Sequence, residues 1–307
     1  MAAEANYSAR NGNDNMVGPG TPLEKDWSNG VAEHLDNNMD SDNALRRIKT
    51  AGSISISPEL FEKIYLTPQN AVKGELRKTF GNPTPLALIG FLLSLTPLSC
   101  DLMGWRGAGG NGAAGTGTYF FFGGLLMTLG AVGEFIVGNT FPFVVFGSFG
   151  AFWLSYGATL QPFYNAYGAY STTGNAADGM TTVGFQSSFA FFLLTMGFLC
   201  FIYMILSLRT NIVFFIIFLT LIFAFCLLAG AYWQMSNNPT STLPTKLIVA
   251  AGAFSFVTCV GGWWIFFAIM LAALDFPFQV PVGDLSHIIK GASDRAKAKE
   301  EKRQYSA

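Results

Sequence analysis

Charge is scarce in this chain. Only 12% of its 307 residues are charged while 51% are hydrophobic, a balance that excludes an ordinary soluble domain. Histidine is scarcer still. His34 and His287 lie in opposite tails, with no acidic or cysteine neighbour at ligand spacing, so neither is expected to hold a metal or act in catalysis. The four cysteines, Cys100, Cys200, Cys226 and Cys259, fall inside or at the ends of apolar stretches. There cysteine behaves as a small apolar residue, and neither a disulfide framework nor a metal site is expected. The sequence also lacks a G-x-x-x-x-G-K phosphate loop, which argues against ATP-driven transport. No nucleophile and base pair stands out in the apolar part, so no enzyme activity, cofactor or nucleic-acid partner is expected.

What is present is phenylalanine, 30 residues against 18 lysines and arginines, gathered in long apolar runs. A spanning helix needs roughly 20 mostly apolar residues, because its backbone must satisfy its own hydrogen bonds in lipid. Six stretches qualify, at 84–104, 117–138, 141–160, 184–207, 211–233 and 246–273. The expected fold is therefore an all-α membrane protein of six transmembrane helices, spanning residues 81–276. A polar tail precedes it at 1–80, largely disordered by composition, and a basic tail follows at 277–307. Pro97, inside the first span, is expected to kink or unwind it. Residues 59–80 carry enough apolar periodicity for short interfacial structure before the membrane. The first 80 residues contain no apolar run of signal-peptide type.

Lys73, Arg77, Lys78, Arg209 and the C-terminal basic run fall on one side of the membrane, against Arg106 and Lys246 on the other. By the positive-inside rule both termini are cytoplasmic. Glycines at helix-face spacing, among them Gly123 and Gly130, Gly150 and Gly157, and Gly261 with Gly262, are expected to let helices pack closely. Trp105, Tyr119, Tyr232 and Trp233 are expected in an interfacial belt. Trp263 and Trp264 fall near mid-membrane and have no such explanation. Ionisable side chains are nearly absent from the spans, and Glu134 is the candidate among them. Two readings stand open for it, a shallow anchor at the cytoplasmic interface or a role at a pore vestibule.

The first span opens on Asn82-Pro83-Thr84-Pro85. Prolines in a first helical turn lose little, since the N–H groups they lack are unpaired there anyway. The asparagine can cap the free amides, and the positive end of the helix dipole suits a carboxylate. The stretch Asn82 to Leu88 resembles the first-span signature N-P-A-P-L-G-L of the acetate uptake transporter family, which includes bacterial succinate-acetate permeases and fungal acetate permeases. "GNTF" at Gly138 to Phe141, "GSFGAFWL" at Gly147 to Leu154, the apolar fifth span and "VPVGDL" at Val280 to Leu285 add to the resemblance, which covers about residues 80–286.

The resemblance implies a pore within each six-helix subunit, assembly into a hexameric ring in the plasma membrane, and transport of acetate and related small monocarboxylates. It places an apolar constriction on Phe91, Phe149 and Leu221. Helix rise of about 1.5 Å per residue puts these three roughly 14 to 15 Å above Asn82, Thr140 and Asn211, hence at one depth. Phe149 stands where the family commonly has tyrosine, and Thr84 and Ala87 depart from the signature. The expected pathway starts at Asn82 and Thr84 and passes the constriction as the neutral acid, since an unpaired carboxylate is penalised in low dielectric. Ser94, near Phe91 on the helix face, either meets the permeant or bonds back to its own helix. Rival readings are ammonia or ammonium transport, and an acetate sensor signalling through a tail that carries Ser53, Ser55 and Ser57.

Overall fold

The computed structural model describes residues 33–35, 54–56 and 80–285. The interfacial stretch expected before the first span, Ser53, Ser57, His287 and the basic C-terminal run lie outside those residues. Glu33–Leu35 (β1) and Ile54–Ile56 (β2) pair in parallel, Glu33 opposite Ile54.

Six helices follow that are long and apolar enough to cross a membrane: α1 (Thr84–Met103), α2 (Gly110–Ile136), α3 (Thr140–Thr159), α4 (Val183–Ser207), α5 (Ile212–Asn237) and α6 (Leu243–Ala273). Their number is even, so α1 starts at the end of the bundle where α6 finishes. That end is termed proximal here and the other distal.

Each start has a local cause. Pro85 and Pro244 occupy the opening turns of α1 and α6, where the missing N–H costs nothing. Asn211 caps α5 by accepting the Phe214 N–H at 2.9 Å, and Thr182 caps α4 by accepting that of Phe185. Pro97 does not end α1, which is helical through to Met103 and closes on Gly104 at φ 71°. The second helix begins seven residues before the apolar run does. Its opening turns are tight 3-10 helix, and between Tyr119 and Leu126 it widens into π-helix.

The helices form a ring in chain order. Polar side chains join neighbours around it. Ser94 Oγ donates from α1 to the Thr118 carbonyl of α2 at 3.2 Å. The hydroxyls of Ser148 and Tyr203 link α3 to α4 at 3.0 Å, those of Ser187 and Ser236 link α4 to α5 at 2.9 Å, and those of Thr220 and Thr258 link α5 to α6 at 2.7 Å. Trp263 Nε1 then closes the ring from α6 to Thr96 of α1 at 3.2 Å. With no hydrophobic drive between helices in lipid, such bonds and close backbone approach are what hold neighbours together. Helices α1 and α2 approach closely, and a Cβ on Gly130 would lie 2.6 Å from that of Ala87.

The belt expectation needs correcting at two positions. Tyr119 is almost fully buried, its hydroxyl donating to the Gly112 carbonyl at 2.8 Å. Tyr232 turns inward to a cavity instead of outward. Tyr119 stacks on Trp153 and Tyr232 meets Phe189, each at 5.2 Å between centroids, within the favoured range for aromatic pairs. The four cysteines are free thiols.

Candidate functional site

The start of α1 is held by a buried clasp. Asn82 Oδ1 accepts the Thr84 N–H at 2.9 Å, a side-chain turn that leads into the helix. Thr84 turns its hydroxyl inward and donates it to Glu134 Oε1, while Asn139 Nδ2 donates to Oε2 of the same carboxylate at 2.6 Å. All three of Thr84, Glu134 and Asn139 are buried. Glu134 is thus a fully buried carboxylate. It is a shared acceptor that ties the Asn-Pro-Thr-Pro start of α1 to the turn between α2 and α3. Gly133 allows this, since a Cβ there would lie 2.6 Å from the Cβ of Pro83.

Above the clasp lies a proximal cavity of about 30 Å³ whose lining is wholly apolar and includes Phe91, Phe149 and Leu221. The Phe91 and Phe149 rings meet edge to face at 5.9 Å between centroids, a favoured arrangement for aromatic pairs. All three of these residues are buried. Leu221 also faces a second, distal cavity of about 60 Å³. The two spaces therefore meet at the level of Leu221. By the usual measure of one water per roughly 10 to 15 Å³ of such space, either admits only a few waters.

Ser94 follows neither sequence reading. It is fully buried and spends its hydroxyl on α2. Sequence reasoning also missed Tyr203, whose ring packs 6.5 Å from Phe149 and 5.5 Å from Phe218. It restores a hydroxyl beside the position where tyrosine is replaced by Phe149, although that hydroxyl is engaged with Ser148.

The segment Val280 to Leu285 folds back under the ring. Ile212 N–H donates to the Gly283 carbonyl at 2.8 Å, and Leu285 N–H to that of Thr210 at 3.0 Å, with Asn211 and Asp284 paired antiparallel between them. Val282 is buried within the core. Trp264, unexplained by position alone, donates its Nε1–H to the Pro281 carbonyl at 2.8 Å.

These features define a class: an all-α membrane protein whose six helices enclose two cavities, one wholly and one largely apolar, on either side of a narrow aromatic and aliphatic level. The chain belongs to the GPR1/FUN34/yaaH family, whose model matches residues 65–287. It is 45% identical over 235 residues to Protein alcS of Aspergillus fumigatus, covering 76% of this chain and 86% of that one. It is 32% identical over 208 residues to the acetate transporter protein patA of Aspergillus clavatus, covering 68% and 80%. Ammonia transport outward protein 2 of Saccharomyces cerevisiae is 28% identical over 217 residues, with 66% and 72% covered. The structure of the bacterial acetate channel SatP superposes with a TM-score of 0.53 at 22% identity, over 66% of this chain and 99% of that one. That likeness is one of fold.

Proposed function

We propose that this membrane protein carries acetate and related small monocarboxylates along the axis of its own six helices, through a constriction formed by Phe91, Phe149 and Leu221. The observation behind this reading is that three side chains from α1, α3 and α5 converge on one apolar cavity, and that Leu221 alone of the three also faces the next. Family membership with a named acetate transporter supplies the substrate class.

The mechanism follows from dielectric. An ionised carboxylate without a partner is penalised by several kcal/mol in such surroundings, so the neutral acid crosses the constriction. Asn82 and the positive end of α1 collect acetate at the proximal mouth, and Thr84 with Glu134 keeps that mouth in shape. The distribution of lysine and arginine makes the proximal end cytoplasmic, with both termini on that side of the plasma membrane. Six subunits assemble in a ring, each with its own passage, by resemblance to the family.

The test is labelled acetate uptake into proteoliposomes containing the purified protein, with and without an inward proton gradient, and repeated for Phe91→Ala. Saturable uptake above empty liposomes, altered by the variant, is expected. Uptake equal to empty liposomes sinks the transport reading, and unchanged flux in Phe91→Ala sinks the constriction. The relative named for ammonia transport keeps one rival alive. Acetate that fails to compete with labelled methylammonium, in a protein that takes up the latter, would favour it.

A further inference from the structure

Among the described residues, the wall of the proximal cavity is built by α1, α2, α3, α5 and α6 and takes no side chain from α4. Helix α4 nevertheless reaches the constriction from behind, through Tyr203. That residue is buried and lines neither the proximal nor the distal cavity. Among the described residues two rings flank Phe149, that of Phe91 at 5.9 Å between centroids and that of Tyr203 at 6.5 Å. Phe91 shares the cavity wall with Phe149, whereas Tyr203 stands outside it. The Phe149 side chain has no polar atom of its own, so packing alone fixes where its ring lies.

Tyr203 is held more firmly than the ring it supports. It meets Phe141 edge to face at 6.0 Å and packs on Phe218 at 5.5 Å, and Phe218 belongs to the cavity wall. Its hydroxyl lies 3.0 Å from Ser148 Oγ. Ser148 gives its own proton to the Val145 carbonyl at 2.9 Å, so in the pair Tyr203 donates and Ser148 accepts. Ser148 is the residue immediately before Phe149. Tyr203 is thereby tied to α3 through its hydroxyl and to α5 through its ring. A phenylalanine at this position could make the ring contacts but not the tie.

We infer that Tyr203 is a positioning residue that sets the size limit of the passage: anchored on Ser148, it backs the Phe149 ring and stops that ring from withdrawing from Phe91. The inference rests on the transport reading above and names what fixes the width of its constriction. Close packing is the physical reason. Protein interiors hold few voids larger than a water molecule, so a buried ring moves aside only where the side chain behind it yields. Acetate carries a single methyl beside its carboxyl group, and a longer acid needs Phe149 to move further. A methylene in an apolar site changes discrimination by about tenfold or more. The backstop therefore acts on the choice between short and longer acids more than on acetate itself.

The test measures uptake of labelled acetate and labelled butyrate into proteoliposomes containing wild type, Ser148→Ala, Tyr203→Phe, the double variant or Tyr203→Leu. The readout is the ratio of kcat/KM for butyrate to that for acetate. Active fraction cancels in this ratio, so a side chain that only supports the fold leaves it unmoved. Loss of one net hydrogen bond corresponds to about a fivefold shift, and Tyr203→Phe is expected to raise the ratio by about that factor. Ser148→Ala is expected to match it, with no further rise in the double variant, because both remove the same contact. Tyr203→Leu, which removes the ring as well, is expected to raise the ratio by about tenfold or more. The hydroxyl-free variants keep every ring, so they decide the matter even where Tyr203→Leu does not fold. Wild-type ratios in Tyr203→Phe and Ser148→Ala overturn the inference and leave the transport reading standing. Absence of saturable acetate uptake in wild type overturns the transport reading itself.

Discussion

Glu134 shows how a residue that reads as a pathway candidate is instead tied into the framework. A carboxylate at this depth persists only if its oxygens are satisfied, and here Thr84 and Asn139 each occupy one of them. Removing the acceptor deprives two buried donors at once, each worth roughly 1 to 3 kcal/mol when left unmade. Glu134→Ala is therefore expected to lower stability by about 3 kcal/mol, and Thr84→Val, which keeps the side-chain volume, by about 1 kcal/mol. Thermal midpoints of the purified variants check the order. Midpoints equal to wild type would mean that the clasp contributes nothing. At this scale legibility was uneven. Phe91, Phe149 and Leu221 are placed by the family resemblance, and helix rise adds only that they lie seven to nine residues into helices that start at the same end of the bundle. The clasp is hidden because Thr84 and Glu134 are 50 residues apart.

Among the elements, α5 depends most on something outside itself. Its first turn is capped by Asn211 and stitched by backbone bonds to the segment Val280 to Leu285. That stitch needs Gly283, which sits at φ 69° and where a Cβ would lie 2.5 Å from Ile212 Cγ2. Gly283→Val thus combines backbone strain with a clash. It is expected to detach the segment, lowering the thermal midpoint by the equivalent of roughly 2 kcal/mol and raising the thiol-reagent reactivity of a Val282→Cys reporter from that of a buried site to that of an exposed one. A reporter that stays protected in the Gly283→Val background would show that the segment holds without the glycine. The six spans themselves are legible, since lipid forces the apolar run and the helix to coincide. Their ends are less so. Residues 110–116 are rich in glycine and alanine, and they join α2 because Tyr119 and Tyr156 reach back to the carbonyls of Gly112 and Asn111. That cause is tertiary. The π-helical stretch has the same character: it lies where the consecutive glycines 123 and 124 take the side chains of Trp153 and Leu154.

For the molecule as a whole, the decisive feature is that the walls of both cavities carry no ionisable carboxylate, histidine, lysine or arginine. On the proposed passage the permeant meets no counter-charge at the constriction, so the proton that neutralises the acid would come with it. Small carboxylic acids titrate near the range of aspartate and glutamate side chains, about pH 4. Above that range the neutral fraction falls about tenfold for each pH unit. At fixed total acetate and equal pH on both faces, uptake above the leak of empty liposomes is accordingly expected to drop about tenfold between pH 6 and pH 7, and again between pH 7 and pH 8. Flux that stays flat over this interval would mean that the anion itself crosses.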